Sequence, residues 1–249
     1  MSPGNAEVTE VSGSVRAVDS IRRSPVHRMN ADAGANFAPC GDAMIVSDYG
    51  EPAQEWEAAQ RLGLCDLSVL SRIGFKGAGT LNWLASQNVS LPRATNFARA
   101  QSDGALAAQL GPEEIVVLSD IVGSSGRTSA LEAAWQNSDH DPRGYPVPRR
   151  DTHAWFRITG TSGAQMFAKL SAVDLRPHKF ENHELTQTSI ARATGVIIRN
   201  DLGPILGYDL LVDAAMADYY VQVLLDAMAE FDGCLVGHQA LVTLATPER

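Results

Sequence analysis

WFRITGTSGAQMFAKLSAVDLRP, Trp155 to Pro177, decides the reading of the chain. Trp155, Phe156 and Ile158 start it as a short apolar strand, and Gly160-Thr161-Ser162-Gly163 turns it. A helix then follows with Ala164, Phe167, Ala168 and Leu170–Ser171 inward, and Val173-Asp174-Leu175 runs to a proline stop. Strand, glycine turn and helix in that order predict a compact β-turn-α unit. The same unit is readable earlier in RIGFKGAGTLNWLASQNVSLP, Arg72 to Pro92. Gly77 aligns with Gly160, Leu81 with Ala164 and Leu84 with Phe167, an offset of 160 − 77 = 83 residues. An aspartate precedes each copy (Asp66, Asp151) and hairpin-like sequence follows each. The chain therefore reads as an internal duplication, two related halves sharing one core.

Outward from these units the remaining elements fall into place. Residues 1–23 lack periodicity and read as a disordered lead. The segment Gly34 to Tyr49 predicts one or two short strands, and Glu51-Pro52 opens a helix through Trp56, Ala59 and Leu62 to Gly63. Gly104 to Leu110 and Glu114 to Leu118 form a hairpin around Gly111-Pro112, and Ser125 to Gln136 is helical with Leu131 and Trp135 on one face. NSDHDPRGYPVPRR, residues 137–150, is rich in proline and reads as a linker. Strands are expected over Thr186 to Ala193, Val196 to Arg199 and Leu206 to Val212. The best-patterned helix is Ala215 to Phe231, with Met216, Tyr220, Val223, Leu224, Ala227, Met228 and Phe231 as its apolar stripe. The expected fold class is α+β: duplicated β-α-β halves with antiparallel sheets, helices on one side of each. The halves are placed at 24–136 and 151–245, with a tail at 246–249.

Composition narrows the function. The chain has 249 residues, 45% of them hydrophobic, enough for a sizeable core. A net charge of −9 argues against a nucleic-acid partner. No apolar run reaches the ~18–20 residues of a membrane span, and the start carries no secretory signal pattern. Three well-separated cysteines, Cys40, Cys65 and Cys234, indicate neither a disulfide framework nor a zinc site, so a cytoplasmic location is expected.

Catalytic motifs are sparse. Gly77-Ala78-Gly79 and Gly160 to Gly163 make neither a dinucleotide fingerprint nor a P-loop and read as turn glycines. His178 and His183 lack a third ligand at metal spacing. Glu113 and Glu114 would point to opposite faces of a strand, which separates them as an acid–base pair. Asp209, in Gly207-Tyr208-Asp209 ahead of Leu210-Leu211-Val212, is a lone acid in an apolar strand and the carboxylate singled out for test.

Four stretches together resemble the gamma subunit of heterotetrameric sarcosine oxidase, and through it the folate-binding domain of the aminomethyltransferase (glycine cleavage T-protein) family. They are LGLCDLSVLSRIGFKGAGTLNWL (62–84), LGPEEIVVL (110–118), AWFRITGTSGAQMFAKLSAVDLRP (154–177) and YDLLV…ADYYVQVLLDAMAEF (208–231). The resemblance implies that Asp209 stands where the T-protein family holds the folate pterin with a glutamate. It departs from that family in having Asp201-Leu-Gly-Pro-Ile-Leu-Gly207 before the acid, and Gly111-Pro112-Glu113-Glu114 where the family carries its catalytic aspartate. The implied role is a subunit without its own active site in a flavin-dependent oxidase or dehydrogenase of sarcosine or a similar N-methyl amino acid. Its partners would be alpha, beta and delta subunits, with FAD, FMN, NAD and tetrahydrofolate held on those subunits and none here. The alternative is a free-standing folate-dependent aminomethyltransferase-like protein. Phe37, Trp56 and Trp135 are the apolar candidates for a partner surface.

Overall fold

The structure is a computed structural model, and it describes residues 20–246 apart from 140 and 142. Most of the expected lead falls outside those residues, although Arg22 already bridges to Ala43. A short helix α1 (His27–Asp32) and a two-stranded ribbon, β1 (Asn36–Cys40) and β2 (Ala43–Asp48), open the fold. Helix α2 (Pro52–Leu62) follows, with Pro52 in the first turn, where its missing N–H costs no hydrogen bond.

The first unit comprises β4 (Arg72–Lys76), α3 (Thr80–Ser86), β5 (Phe97–Ala100), β6 (Leu106–Gly111), β7 (Glu114–Leu118) and α4 (Arg127–Asn137), after β3 (Gly63–Asp66). The second comprises β9 (His153–Thr159), α6 (Gly163–Phe167), β10 (Leu185–Ile190), β11 (Ala193–Arg199), β12 (Gly207–Asp213) and α7 (Ala217–Met228). It is preceded by β8 (Tyr145–Val147) and α5 (Arg149–Thr152), and closed by β13 (Cys234–Leu235) and α8 (His238–Ala245). Five strands run in the order β5-β6-β7-β4-β8, and six in the order β10-β11-β12-β9-β3-β13. All neighbours pair antiparallel except β13 with β3. The fold is therefore the expected α+β duplication.

The strand before each unit crosses to the other sheet. β3 pairs with β9, Gly63 opposite Thr159, and β8 pairs with β4, Tyr145 opposite Lys76. The stretch 137–150, expected as a linker, thus carries an edge strand, and β3, placed in the first half by sequence, belongs to the second sheet. Prolines 146 and 148 hid β8, and an edge position is where a strand tolerates them.

Four layers result. Phe75, Ile115 and Val117 of the five-stranded sheet pack on Trp83 and Leu84 of α3 and Leu131 and Trp135 of α4. The opposite faces of the two sheets meet in a second core through Leu106, Val116, Leu118, Trp155, Val196 and Leu211. The outer face of the six-stranded sheet, with Phe156, Ile158, Tyr208 and Leu210, packs on α6 and α7 through Phe167, Tyr220 and Leu224. Each sheet is covered on both sides, which explains why strands such as β7 and β12 are buried on both faces rather than alternating between buried and exposed. Each such Leu, Val or Phe contributes roughly 1.5–3 kcal/mol on burial.

The paired glycines do the same work in both units. Gly77 (φ 101°) and Gly160 (φ 104°) take a left-handed backbone that disfavours any Cβ. Each donates its N–H, at 2.9 Å, to the residue before the fourth strand of its unit, Glu113 and Leu206 respectively. Each carbonyl accepts from the residue three along, Thr80 and Gly163. Helix α6 is shorter than its sequence pattern: it ends at Phe167, and Ala168 is exposed instead of inward.

Candidate functional site

Asp209 lies mid-way along β12, directly opposite Arg157 of β9. Both side chains have no exposed surface and sit on the sheet face that looks toward the other sheet, in line with Trp155 and Leu211. Alternation along the strands sets this: 155 and 157 share a face, as do 209 and 211. The carboxylate is fully engaged. Trp155 donates Nε1–H to Oδ1 at 2.9 Å, Asn200 donates Nδ2–H to Oδ2 at 2.9 Å, and Arg157 Nη1 lies 2.7 Å from Oδ2. The Arg157 contact is poorly aligned for a hydrogen bond, so its value is Coulombic, and Arg157 Nη2 instead donates to the Asn200 carbonyl.

Gly207 leaves room for that guanidinium, since a Cβ there would stand 2.6 Å from Arg157 Nη2. Arg157 Nε and the Thr159 hydroxyl beside it are buried without partners. Such a constellation fixes register and neutralises charge; it offers no free acid, base or nucleophile. The residues do not fit a folate anchored at Asp209, because none of the carboxylate surface is open and each oxygen already has a donor. None of the five main surface cavities has Asp209 in its lining.

The other sequence candidates stay apart. Glu114 is ion-paired with Lys76 at 2.8 Å and with Arg149, while its neighbour Glu113 is exposed. His183 is half-buried in a left-handed backbone, φ 69°, and burial lowers its pKa. Among the described residues no group of three or more His, Cys, Asp or Glu side chains has metal-binding geometry. Burial raises the Cys65 and Cys40 thiols above the usual range, which keeps both protonated. Among the described residues no helix is long and apolar enough to cross a membrane. Trp135 belongs to the core, with its ring 4.6 Å from Trp83 and 5.3 Å from Phe75, which removes it from the partner-surface candidates. Phe37 is half-buried against His27, and Trp56 remains 39% exposed.

Sequence reasoning located Asp209 and missed the three residues that hold it. The available signal was Arg157, a charge in the middle of the apolar run Trp155 to Ile158, which in a buried strand calls for a counter-charge.

No protein-family model and no curated protein sequence matches the chain. Solved structures do. A chain of the heterotetrameric sarcosine oxidase from Corynebacterium sp. U-96 is similar over 92% of this protein and 100% of its own length, with TM-score 0.62 and 18% identity. The glycine cleavage system aminomethyltransferase T from Bartonella henselae is similar over 91% of this protein, with TM-score 0.70 and 14% identity. This protein spans 62% of that aminomethyltransferase chain. At these identities the likeness is one of architecture, and the architecture is that of the domain these two proteins share.

Proposed function

We propose that this protein is a gamma-type subunit of a heterotetrameric sarcosine oxidase or a related flavin-dependent N-methyl amino acid oxidase or dehydrogenase, and that it has no active site of its own. The observation that carries the reading is Asp209. At the position where the resemblance puts a ligand-holding carboxylate, the acid is sealed between two sheets and spent on Trp155, Asn200 and Arg157. A fold kept while its polar centre turns inward fits a structural or assembly role, since fold alone confers no activity. The match to the whole length of a chain from a heterotetramer supports the same reading.

In this reading alpha, beta and delta subunits are the partners. FAD, FMN, NAD and tetrahydrofolate sit on those subunits, and the complex demethylates sarcosine or a similar amine and passes the one-carbon unit to tetrahydrofolate. The chain works in the cytoplasm. The alternative, a free-standing folate-dependent aminomethyltransferase, requires the Asp209 carboxylate to reach a pterin. Titrating tetrahydrofolate into the isolated chain separates the two. The subunit reading expects no saturable binding; saturable binding that disappears in Asp209→Asn would favour the alternative.

A further inference from the structure

Each of the two large sheets ends in two edge strands, and three of these four edges are blunted against further pairing. β8 carries Pro146 and Pro148, which have no N–H to offer, and β13 is two residues long. β5 spends its Ala98 N–H on the His183 carbonyl and presents the exposed Arg99. β10 is different. Its six residues, Leu185-Thr-Gln-Thr-Ser-Ile190, include no charge, proline or glycine, and no strand of its sheet lies outside it.

The ladder sets which way its amides point. Ile190 pairs with Ala193 across the two-residue turn Ala191-Arg192, whose φ values of 50° and 70° match a type I′ hairpin. Ile190, Thr188 and Thr186 therefore exchange hydrogen bonds with β11, while Leu185, Gln187 and Ser189 turn their N–H and C=O groups away from it. Two bonds agree with this phase. Arg199 donates its N–H to the Glu184 carbonyl along the ladder, and Leu185 donates its N–H outward to the Asn96 carbonyl. The N–H groups of Gln187 and Ser189 have no acceptor among the described residues, and both residues are exposed.

Two copies related by a two-fold axis at Thr188 would use those free groups alone. Gln187 then lies opposite Ser189 of the second copy, twice, with two hydrogen bonds in each pair. Thr188 faces Thr188 as a close non-hydrogen-bonded pair, a favourable cross-strand contact. The same register brings Arg192, exposed and without an ion-pair partner among the described residues, toward Glu184 of the second copy at each end. The Glu184 carboxylate accepts the Glu181 N–H but faces no cation within its own chain among the described residues. An uncharged strand meets its own copy without repulsion, and the charges at its two ends are of opposite sign. A foreign strand could use the amides, but the matched ends are a property of this strand with itself.

We propose that β10 is a self-association edge: two copies of this chain pair antiparallel through Gln187 and Ser189, joining their six-stranded sheets across a two-fold axis at Thr188. The proposal rests on the edge and not on the subunit reading.

The test is sedimentation equilibrium of the full chain alone at about 150 mM salt, where the charge of −9 on each copy is screened beyond about 8 Å. One strand pair is a small interface, so the expected result is a reversible dimer with a Kd on the order of 100 μM. Ser189→Pro removes an outward N–H and no ladder bond, and should weaken the dimer about tenfold or more. Arg192→Glu, at an exposed turn position, should weaken it about threefold or more while leaving the fold intact. Thr188→Cys in a Cys234→Ser background reads the register, because a non-hydrogen-bonded pair has the Cα spacing of a disulfide. Oxidation should cross-link that dimer and leave Cys234→Ser alone uncross-linked. A monomer at every concentration up to about 1 mM would overturn the proposal. So would a dimer that neither Ser189→Pro nor Arg192→Glu weakens, or one that Thr188→Cys fails to cross-link. Exchange protection of the Gln187 and Ser189 amides that appears only when flavin-bearing subunits are added would assign the edge to a foreign strand, and would overturn it as well.

Discussion

Asp209 and Arg157 face each other across β12 and β9 with no water-accessible surface on either side chain. Removing one partner of such a pair leaves the other buried and uncompensated, a loss of roughly 3–5 kcal/mol. Asp209→Asn should therefore lower the unfolding free energy by about 3 kcal/mol or more in denaturant titration. The double variant Arg157→Met, Asp209→Leu should recover most of that loss, because a packed apolar pair carries no desolvation penalty. His153 gives a second prediction at this scale. Burial, then Arg149 and Arg72, pulls its pKa down to about 4 from the ordinary value of 6.5. Asp213 and Glu114 act the other way, and the ring itself contacts Arg149 and Thr152. The unfolded chain binds the extra proton between those two values, so stability should fall as pH drops from 6.5 toward 4. The partly open ring softens the effect. His153→Gln should flatten that part of the stability–pH curve; an unchanged slope would remove His153 from the account.

The glycine turns show how elements repeat. A Cβ at Gly160 would stand 2.4 Å from the Arg61 carbonyl, and one at Gly77 2.2 Å from the Arg143 carbonyl. Both contacts are with backbone just ahead of the exchanged strands β3 and β8, so nothing flexible can yield. Gly203 also has a positive φ, 58°, but open space around it. Gly77→Ala and Gly160→Ala should each cost more than about 2 kcal/mol, against about 1 kcal/mol for Gly203→Ala. Equal losses at all three would show that backbone conformation alone, not the close approach, governs these sites. The glycines and the long helix α7 were legible because their signals are local: a turn residue and a 3.6-residue stripe. Even in α7 the stripe was displaced at its start, for Met216 is 37% exposed and Ala217 is buried. The exchange of β3 and β8 was not legible, because pairing between distant strands leaves no periodic mark in either. β5, only four residues long, and the two-residue β13 were equally hidden. Asp209 stood out as an acid in an apolar strand, but its neutralisation depended on which strand lay beside it, and register is a tertiary fact.

At the scale of the molecule, exchanged strands make the halves interdependent. A fragment ending at 139 lacks β8 for its own sheet and carries β3 with no β9 to pair with. Fragments 20–139 and 143–246 should each fail to show cooperative unfolding or slow amide exchange alone, yet recover both when co-expressed. Independent folding of either would contradict the interlocked description. The interlocking also bears on function. Both sheets are covered on both faces, and the Asp209 carboxylate is consumed internally. That arrangement is compatible with the proposed role as a component of an assembly. A stable interface would bury about 1,000 Å² or more in total.

The most direct test is co-expression of this full chain with the flavin-containing subunits of the proposed N-methyl amine oxidase, followed by size exclusion with absorbance read at the flavin bands. The account predicts that this chain elutes with the flavin-bearing subunits at constant stoichiometry, and that leaving it out lowers the yield or activity of the complex. A monomer that never co-elutes, alongside subunits that oxidise the amine at full rate without it, would contradict the account.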